Sequence, residues 1–199
     1  MTGAWFGSLM GKGPTEDSRL AWYVILGTIP VGLAGISLPD QVQNMLRSPL
    51  VIAAATVVFA VLLWWAEKSA QEKRGSITLK DAVIVGLFQA IALIPGTSRS
   101  GITITAGLMT GLTRDQSARF SFLLSIPVIA LAGMLKGMEL VKSPEPVDWG
   151  LILTGVSISA VIAYLTIGWF LKLLERVGLL PFVLYRLLLG VVLFAVFLR

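Results

Sequence analysis

The chain contains neither cysteine nor histidine. Without cysteine there is no disulfide framework and no thiolate metal site. Without histidine, the commonest neutral-pH general base and the commonest zinc ligand are missing. Any chemistry carried by these 199 residues therefore rests on carboxylate, hydroxyl, lysine or arginine groups. Charge is scarce as well: 14% of the residues are Asp, Glu, Lys or Arg, 56% are hydrophobic, and mean hydropathy is +0.85. A soluble globular domain carries roughly 25% charged residues, so this composition points to the bilayer as solvent. The net charge of +5 does not indicate nucleic acid as a partner, because the basic residues are scattered between apolar runs and form no stripe. Met1 to Arg19 show no basic region followed directly by an apolar core and a small-residue cleavage site, so the spans themselves are expected to act as targeting signals.

What is abundant is apolar sequence in long runs. A helix crossing the bilayer needs about 20 apolar residues, and four stretches meet that length: Leu20 to Leu38, Pro49 to Ala66, Phe120 to Leu140 and Trp149 to Leu171. A fifth runs from Leu180 to the C-terminus. Trp22, Tyr23, Trp64, Trp65, Trp149 and Trp169 lie near the ends of these stretches, where amphipathic rings favour the headgroup region. Pro30 and Pro127 fall inside spans and read as kinks.

The segment 81–112 is apolar but interrupted. Pro95-Gly96 and the polar residues after them cut it into Ala82 to Ile94 and Ile102 to Leu112. A helix of about 13 residues reaches roughly 20 Å, short of a hydrocarbon core about 30 Å thick. Two such pieces joined by a tight loop predict a re-entrant hairpin with its tip at mid-depth. Charge separates this reading from a single crossing. With a hairpin, Lys12, Arg19, Lys68, Lys73, Arg74, Lys80, Arg114, Arg119, Lys172 and Arg176 share one side, and Arg47, Lys142 and Arg199 lie on the other. A single crossing scatters them more evenly, so the positive-inside bias favours the hairpin, with the N-terminus in the cytoplasm and the acidic loop of Glu139, Glu145 and Asp148 outside. The expected fold is an all-α polytopic membrane protein, about five transmembrane helices plus one re-entrant helical hairpin, in a single membrane domain over 1–199.

Non-helical backbone at membrane depth is tolerated only where protein or a water-filled cavity satisfies it, so the loop Pro95-Gly96-Thr97-Ser98-Arg99-Ser100-Gly101 is expected to line a site. Gly96 and Gly101 permit close backbone approach, Thr97, Ser98 and Ser100 supply hydroxyls, and the amides of Gly101 to Thr103 open a helix. Arg99 adds a planar fork suited to phosphate oxygens, beside the positive end of a half-helix. A phosphate or diphosphate is the natural guest. Gln89 either orients a ligand oxygen or makes an interhelical hydrogen bond that holds the hairpin. Thr103 and Thr105 either line the cavity or bond back to their own helix. Arg186, inside the last hydrophobic segment, is a second buried-charge candidate, though it reads more readily as a residue that snorkels to the nearby interface, and Arg119 reads as a positive-inside anchor. Glu67, Glu72 and Asp81 read as solvated loop charges, poorly placed for a deep general base.

The run Gly86 to Gly101, GLFQAIALIPGTSRSG, together with Phe120-Ser121-Phe122-Leu123-Leu124 and the late Pro181-Phe182 and Tyr185-Arg186, resembles bacterial undecaprenyl-diphosphate phosphatases of the bacitracin-resistance type. The likeness runs along nearly the whole chain. It implies a multi-pass hydrolase of the bacterial cytoplasmic membrane that removes one phosphate from a polyprenyl diphosphate lipid and recycles the carrier of peptidoglycan synthesis. On this resemblance Ser98 and Arg99 are the catalytic, phosphate-binding positions. Gln89 matches the family's hairpin glutamine, and together with Gly96, Thr97, Ser100 and Gly101 from the loop's own chemistry it completes the expected substrate site. It also implies an inverted-repeat architecture of two halves, each with a hairpin, in which the first hairpin carries an acidic motif followed by Ser and His. No counterpart of that motif stands in this sequence. Two explanations are open: a sequence incomplete at its N-terminus, or a protein that binds lipid phosphate without cleaving it. The exposed faces that a single hairpin leaves would need the missing elements, from this chain or another subunit.

Re-entrant half-helices with charged tips also build substrate sites in transporters, so a carrier or flippase of a phosphorylated lipid is the alternative function. No metal ligand set is evident, and Mg²⁺ is expected, where it takes part, to arrive bound to the substrate diphosphate.

Overall fold

Residues 15–39, 42, 45–71, 74–142 and 147–198 are described in the computed structural model. Lys12, Lys73, Glu145 and Arg199 of the charge distribution, and Glu72 of the solvated charges, lie outside them. The described residues form seven helices: α1 Glu16–Ser37, α2 Pro49–Ser69, α3 Leu79–Ile91, α4 Arg99–Met109, α5 Arg114–Lys142, α6 Trp149–Val177 and α7 Leu180–Phe197. Five of these, α1, α2, α5, α6 and α7, are long and apolar enough to cross a membrane, so the protein is an all-α polytopic membrane protein. Several run past the ends expected from the apolar stretches, because a helix starts at its cap rather than where hydrophobicity begins. Thr15 caps α1 by accepting from the Ser18 amide, and Asp148 caps α6 by accepting from the Leu151 amide, which satisfies amides the first turn cannot use internally.

The two short helices form the expected hairpin, and its base shows why. Arg74, just before α3, donates its amide to the Gly111 carbonyl and accepts from the Thr113 amide, at 3.2 and 3.1 Å. The chain entering α3 and the chain leaving α4 therefore meet at one end of the molecule, where a single crossing would hold them a bilayer apart. That end also gathers the C-terminal end of α2 and the α6–α7 turn. Glu67 accepts from the Leu179 amide at 2.8 Å and pairs with Arg114 at 3.2 Å. The first turn of α1 lies against Gly75 to Thr78 and Gln116 across a shared surface cavity.

Asp81 and Glu67 are thus corrections to the sequence reading. Asp81 is 1% exposed. It takes both nitrogens of the Arg74 fork, at 3.0 and 2.9 Å, and closes a capping box with Thr78. Arg74 also reaches the Thr110 carbonyl at 2.6 Å. The latch therefore ties both stems of the hairpin at its base, and burial follows from the close meeting of three segments. Burial alone would push the Asp81 carboxyl up, but the hydrogen bonds from Arg74 and Thr78 outweigh it and hold the group below its usual range. A depressed carboxylate contributes stability above its unfolded pKa of about 3.9, and the contribution fades as pH falls through the folded value. Asp81→Asn is accordingly expected to cost about 2 kcal/mol at pH 7. In paired thermal melts the gap to the unsubstituted protein should narrow only below about pH 4.

Around the hairpin, α1 packs on α3, α5 packs on α4 and also touches α1, and α2 lies between α4 and α7. One apolar cluster, around Val24, Ala82, Val85, Ala106, Phe120 and Leu124, joins α1, α3, α4 and α5. Another joins Ala60, Leu63 and Ala66 of α2 to Ile104, Leu108, Leu174 and Val183. The hairpin is therefore enclosed on two sides, while α6 presents an exposed apolar surface along most of its length.

Candidate functional site

The tip of the hairpin is a strained loop. Gly96 has φ +91°, and a Cβ there would collide with the Ile52 carbonyl of α2, so only glycine fits. Ser98 has φ +65° without being glycine, a backbone state costing about 1–3 kcal/mol that persists only where its surroundings enforce it. Here the strain sets up the start of α4. Ser98 Oγ accepts from the Gly101 amide at 3.3 Å, and its carbonyl accepts from the Ile102 amide at 3.0 Å. The helix begins two residues earlier than expected, so the amides of Gly101 and Ile102 are taken by the cap. The amides of Arg99 and Ser100 have no acceptor among the described residues and form the open, electropositive start of the helix.

Arg99, partly exposed, leans along α5 and α3. Its Nε donates to Gln89 Oε1 at 3.2 Å and one Nη to the Leu124 carbonyl at 3.2 Å. Gln89 is fully buried and donates in turn to the Gly27 carbonyl of α1 at 3.3 Å. Both ends of its amide are engaged inside the protein, so Gln89 orients Arg99 rather than a ligand. Of the two roles the sequence leaves open for Gln89, the interhelical hydrogen bond is the one seen here, with one N–H and one lone pair of the amide in use. Thr103 and Thr105 bond back to the carbonyls of Arg99 and Gly101, at 2.8 and 2.7 Å. Thr103 also meets Ser121 of α5 at 2.6 Å, which holds α4 to α5. Ser100 is exposed at the tip.

Arg186 is the residue whose role sequence reasoning misjudged, by preferring the snorkelling alternative to a buried charge. Instead of snorkelling, it reaches from α7 into the opposite side of the same loop. One Nη donates to the carbonyls of Gly96, Thr97 and Thr56, at 2.7, 2.9 and 3.3 Å. Its other Nη lies 3.8 Å from where a Gly101 Cβ would stand. The available signal was its position, six residues into an apolar helix. What hid the role was that the loop carbonyls it serves lie about 90 residues away in sequence. Two polar atoms here are buried and have no partner among the described residues, Thr97 Oγ1 and Arg186 Nε.

The electrostatics are one-sided. Among the described residues, both guanidinium groups of the tip bond only to neutral carbonyl and amide oxygens. The ion pairs formed by Asp81, Glu67 and Asp115 are with Arg74, Arg114 and Arg119. Two permanent positive charges, two open amides and an orphan hydroxyl therefore surround a loop inside an apolar bundle, an arrangement that calls for an anion.

The family pattern of the bacitracin resistance protein BacA matches residues 1–192. The chain belongs to that family. Among curated BacA-type relatives, undecaprenyl-diphosphatase 2 of Stutzerimonas stutzeri is 54% identical over 202 residues, covering 99% of this chain and 75% of that protein. The undecaprenyl-diphosphatase of Thioalkalivibrio sulfidiphilus is 56% identical over 200 residues, with the same two coverages. That of Nitrosococcus oceani is 54% identical, covering 97% of this chain and 74% of the relative. The resemblance drawn from Gly86 to Gly101 is thus the family relationship of the whole chain.

Proposed function

We propose that this chain acts on undecaprenyl diphosphate in the bacterial cytoplasmic membrane, releasing phosphate and leaving undecaprenyl phosphate, with the hairpin tip as the phosphate-binding part of the active site. The observation that carries the reading is the pair of guanidinium groups, Arg99 and Arg186, meeting one glycine-serine loop with only neutral protein partners. The relatives' shared name supplies the substrate.

Phosphoryl transfer asks a protein mainly to position groups and to stabilise the charge spread over the phosphoryl oxygens. Arg99 holds those oxygens with its free N–H groups, the amides of Arg99 and Ser100 donate from the start of α4, and Arg186 keeps the loop carbonyls turned away from the anion. Ser98 adds a hydroxyl. It stays a binding group rather than a nucleophile in this reading, because among the described residues no base is bonded to it. The tip does not suit Mg²⁺ as a resident ion: it offers guanidinium, amide and hydroxyl groups where a hard dication needs carboxylate or carbonyl oxygens. Where Mg²⁺ accompanies the substrate, the diphosphate oxygens hold it.

Phosphate release from undecaprenyl diphosphate by the purified protein in detergent tests the function. Release at an enzymatic rate supports it. Tight binding without release identifies a non-cleaving homologue, and movement of the lipid across proteoliposomes without release identifies a carrier. One variant separates binding from folding. Ser98→Gly removes the hydroxyl but relieves the positive φ, so thermal stability is expected to hold or rise. Affinity for the lipid diphosphate should fall about tenfold, the loss of one hydrogen bond to a charged group.

A further inference from the structure

The helices α1 and α5 carry the same short sequence. Leu26-Gly27-Thr28-Ile29-Pro30-Val31 and Leu123-Leu124-Ser125-Ile126-Pro127-Val128 share leucine, a hydroxyl residue and Ile-Pro-Val at matching places. Their local structures match too. Thr28 donates its hydroxyl back to the Val24 carbonyl at 2.8 Å, and Ser125 donates back to Phe122 at 2.6 Å, a habit that bends helices. Ile29 and Ile126 are exposed, while Gly27 and Leu124 are buried. The two segments also touch at these equivalent residues: a Cβ on Gly27 would lie 2.8 Å from Leu124 Cδ2.

Those two residues are the ones whose carbonyls hold the polar pair of the hairpin. Gly27 accepts from Gln89, Leu124 accepts from Arg99, and Arg99 donates to Gln89 between them. Each accepting carbonyl stands three residues before an in-helix proline. A proline has no N–H for the carbonyl four residues back, and its ring pushes the preceding turn aside. A turn disturbed in this way also weakens the following bond, from the amide after a proline to the carbonyl three residues before it, and a weakened carbonyl can accept from a side chain of a neighbouring helix. One kink of this kind would be a packing detail. Two matching in-helix prolines, each three residues after the carbonyl that accepts one end of a single chain of hydrogen bonds, form a bracket around Arg99.

We propose that Pro30 and Pro127 are positioning residues of the phosphate site, opening the Gly27 and Leu124 carbonyls that fix the Gln89–Arg99 pair and hence the direction of the Arg99 fork. The proposal rests on the reading of Arg99 as a phosphate ligand. It differs from a general packing role because it acts through Arg99 alone.

The experiment is a double-mutant cycle on binding of farnesyl diphosphate, a short soluble lipid diphosphate, to the whole chain in detergent. Pro127→Ala is measured alone and in the Arg99→Ala background, with thermal midpoints recorded. Alone, Pro127→Ala is expected to weaken binding about tenfold, as for one lost hydrogen bond from a charged donor. The midpoint should be unchanged or higher, since alanine continues the helix. In the Arg99→Ala background Pro127→Ala is expected to change nothing. Ser125→Ala, which relaxes the same turn without replacing the proline, is expected to give a smaller loss with the same dependence on Arg99, and it decides the matter if Pro127→Ala does not fold. Equal losses in both backgrounds, or no loss alone while Arg99→Ala weakens binding, overturn the positioning role. Unchanged binding in Arg99→Ala overturns the phosphate reading instead.

Discussion

Arg99→Ala is expected to lower kcat/KM for undecaprenyl diphosphate by about a thousandfold, the scale seen when an arginine or an equivalent donor is removed from a charge-stabilising site. The size follows from the surroundings. The tip has two guanidinium charges and no bonded carboxylate among the described residues, and Arg186 is occupied by the loop carbonyls, so removing Arg99 takes away the guanidinium whose N–H groups are left for the phosphoryl oxygens. Arg99→Lys keeps the charge but loses the planar fork, and it cannot bridge Gln89, the Leu124 carbonyl and a ligand together. Its activity should fall between the two. Turnover is measured as phosphate release, and a thermal midpoint close to that of the unsubstituted protein shows that the fold survives. Full activity in Arg99→Ala would remove Arg99 from the site.

Arg186→Ala should damage the fold and the site together. The substitution takes the guanidinium donor from the Gly96, Thr97 and Thr56 carbonyls, leaving Gly96 only the longer bond from Thr56 Oγ1 at 3.3 Å. A buried group left without its partner costs about 1–3 kcal/mol, so a loss of roughly 3 kcal/mol or more is expected overall. Because those carbonyls set the turn at Gly96 and the strained Ser98, phosphate release should fall along with the thermal midpoint. Arg186→Lys offers a single ammonium to the same carbonyls and should recover part of the stability. If Arg186→Ala melts and turns over like the unsubstituted protein, the residue only snorkels to the membrane surface, as its sequence position suggests.

The five spans, the hairpin and the tip loop were legible because each leaves a local mark. Apolar length is counted residue by residue, and the break at Pro95-Gly96 leaves pieces too short to cross. Basic residues divide by side, and the side they share is the end where Arg74 meets Gly111 and Thr113. Arg99 announced itself as a charge in apolar surroundings. Arg186 sent the same signal but was read as harmless, and Asp81 was read as solvated, because the sign and size of a side chain do not reveal its partner.

The sequence by itself determined that this chain lives in a bilayer, that one apolar segment folds back on itself, and that the turn of that segment carries an arginine and hydroxyl residues at the start of a half-helix. Hydrophobic length and the cost of intramembrane charge are properties of short stretches, so they can be read along the chain. Only the tertiary structure decided what Gln89 does, which arginine serves the loop from behind, and which backbone oxygens aim Arg99. Those answers depend on hydrogen bonds spanning 10 to 90 residues, from Arg99 to Gln89 and from Arg186 to Gly96. Such bonds exist only once α1, α3, α5 and α7 have packed around the hairpin, because a buried donor selects its acceptor by proximity in the folded bundle and not by separation along the chain.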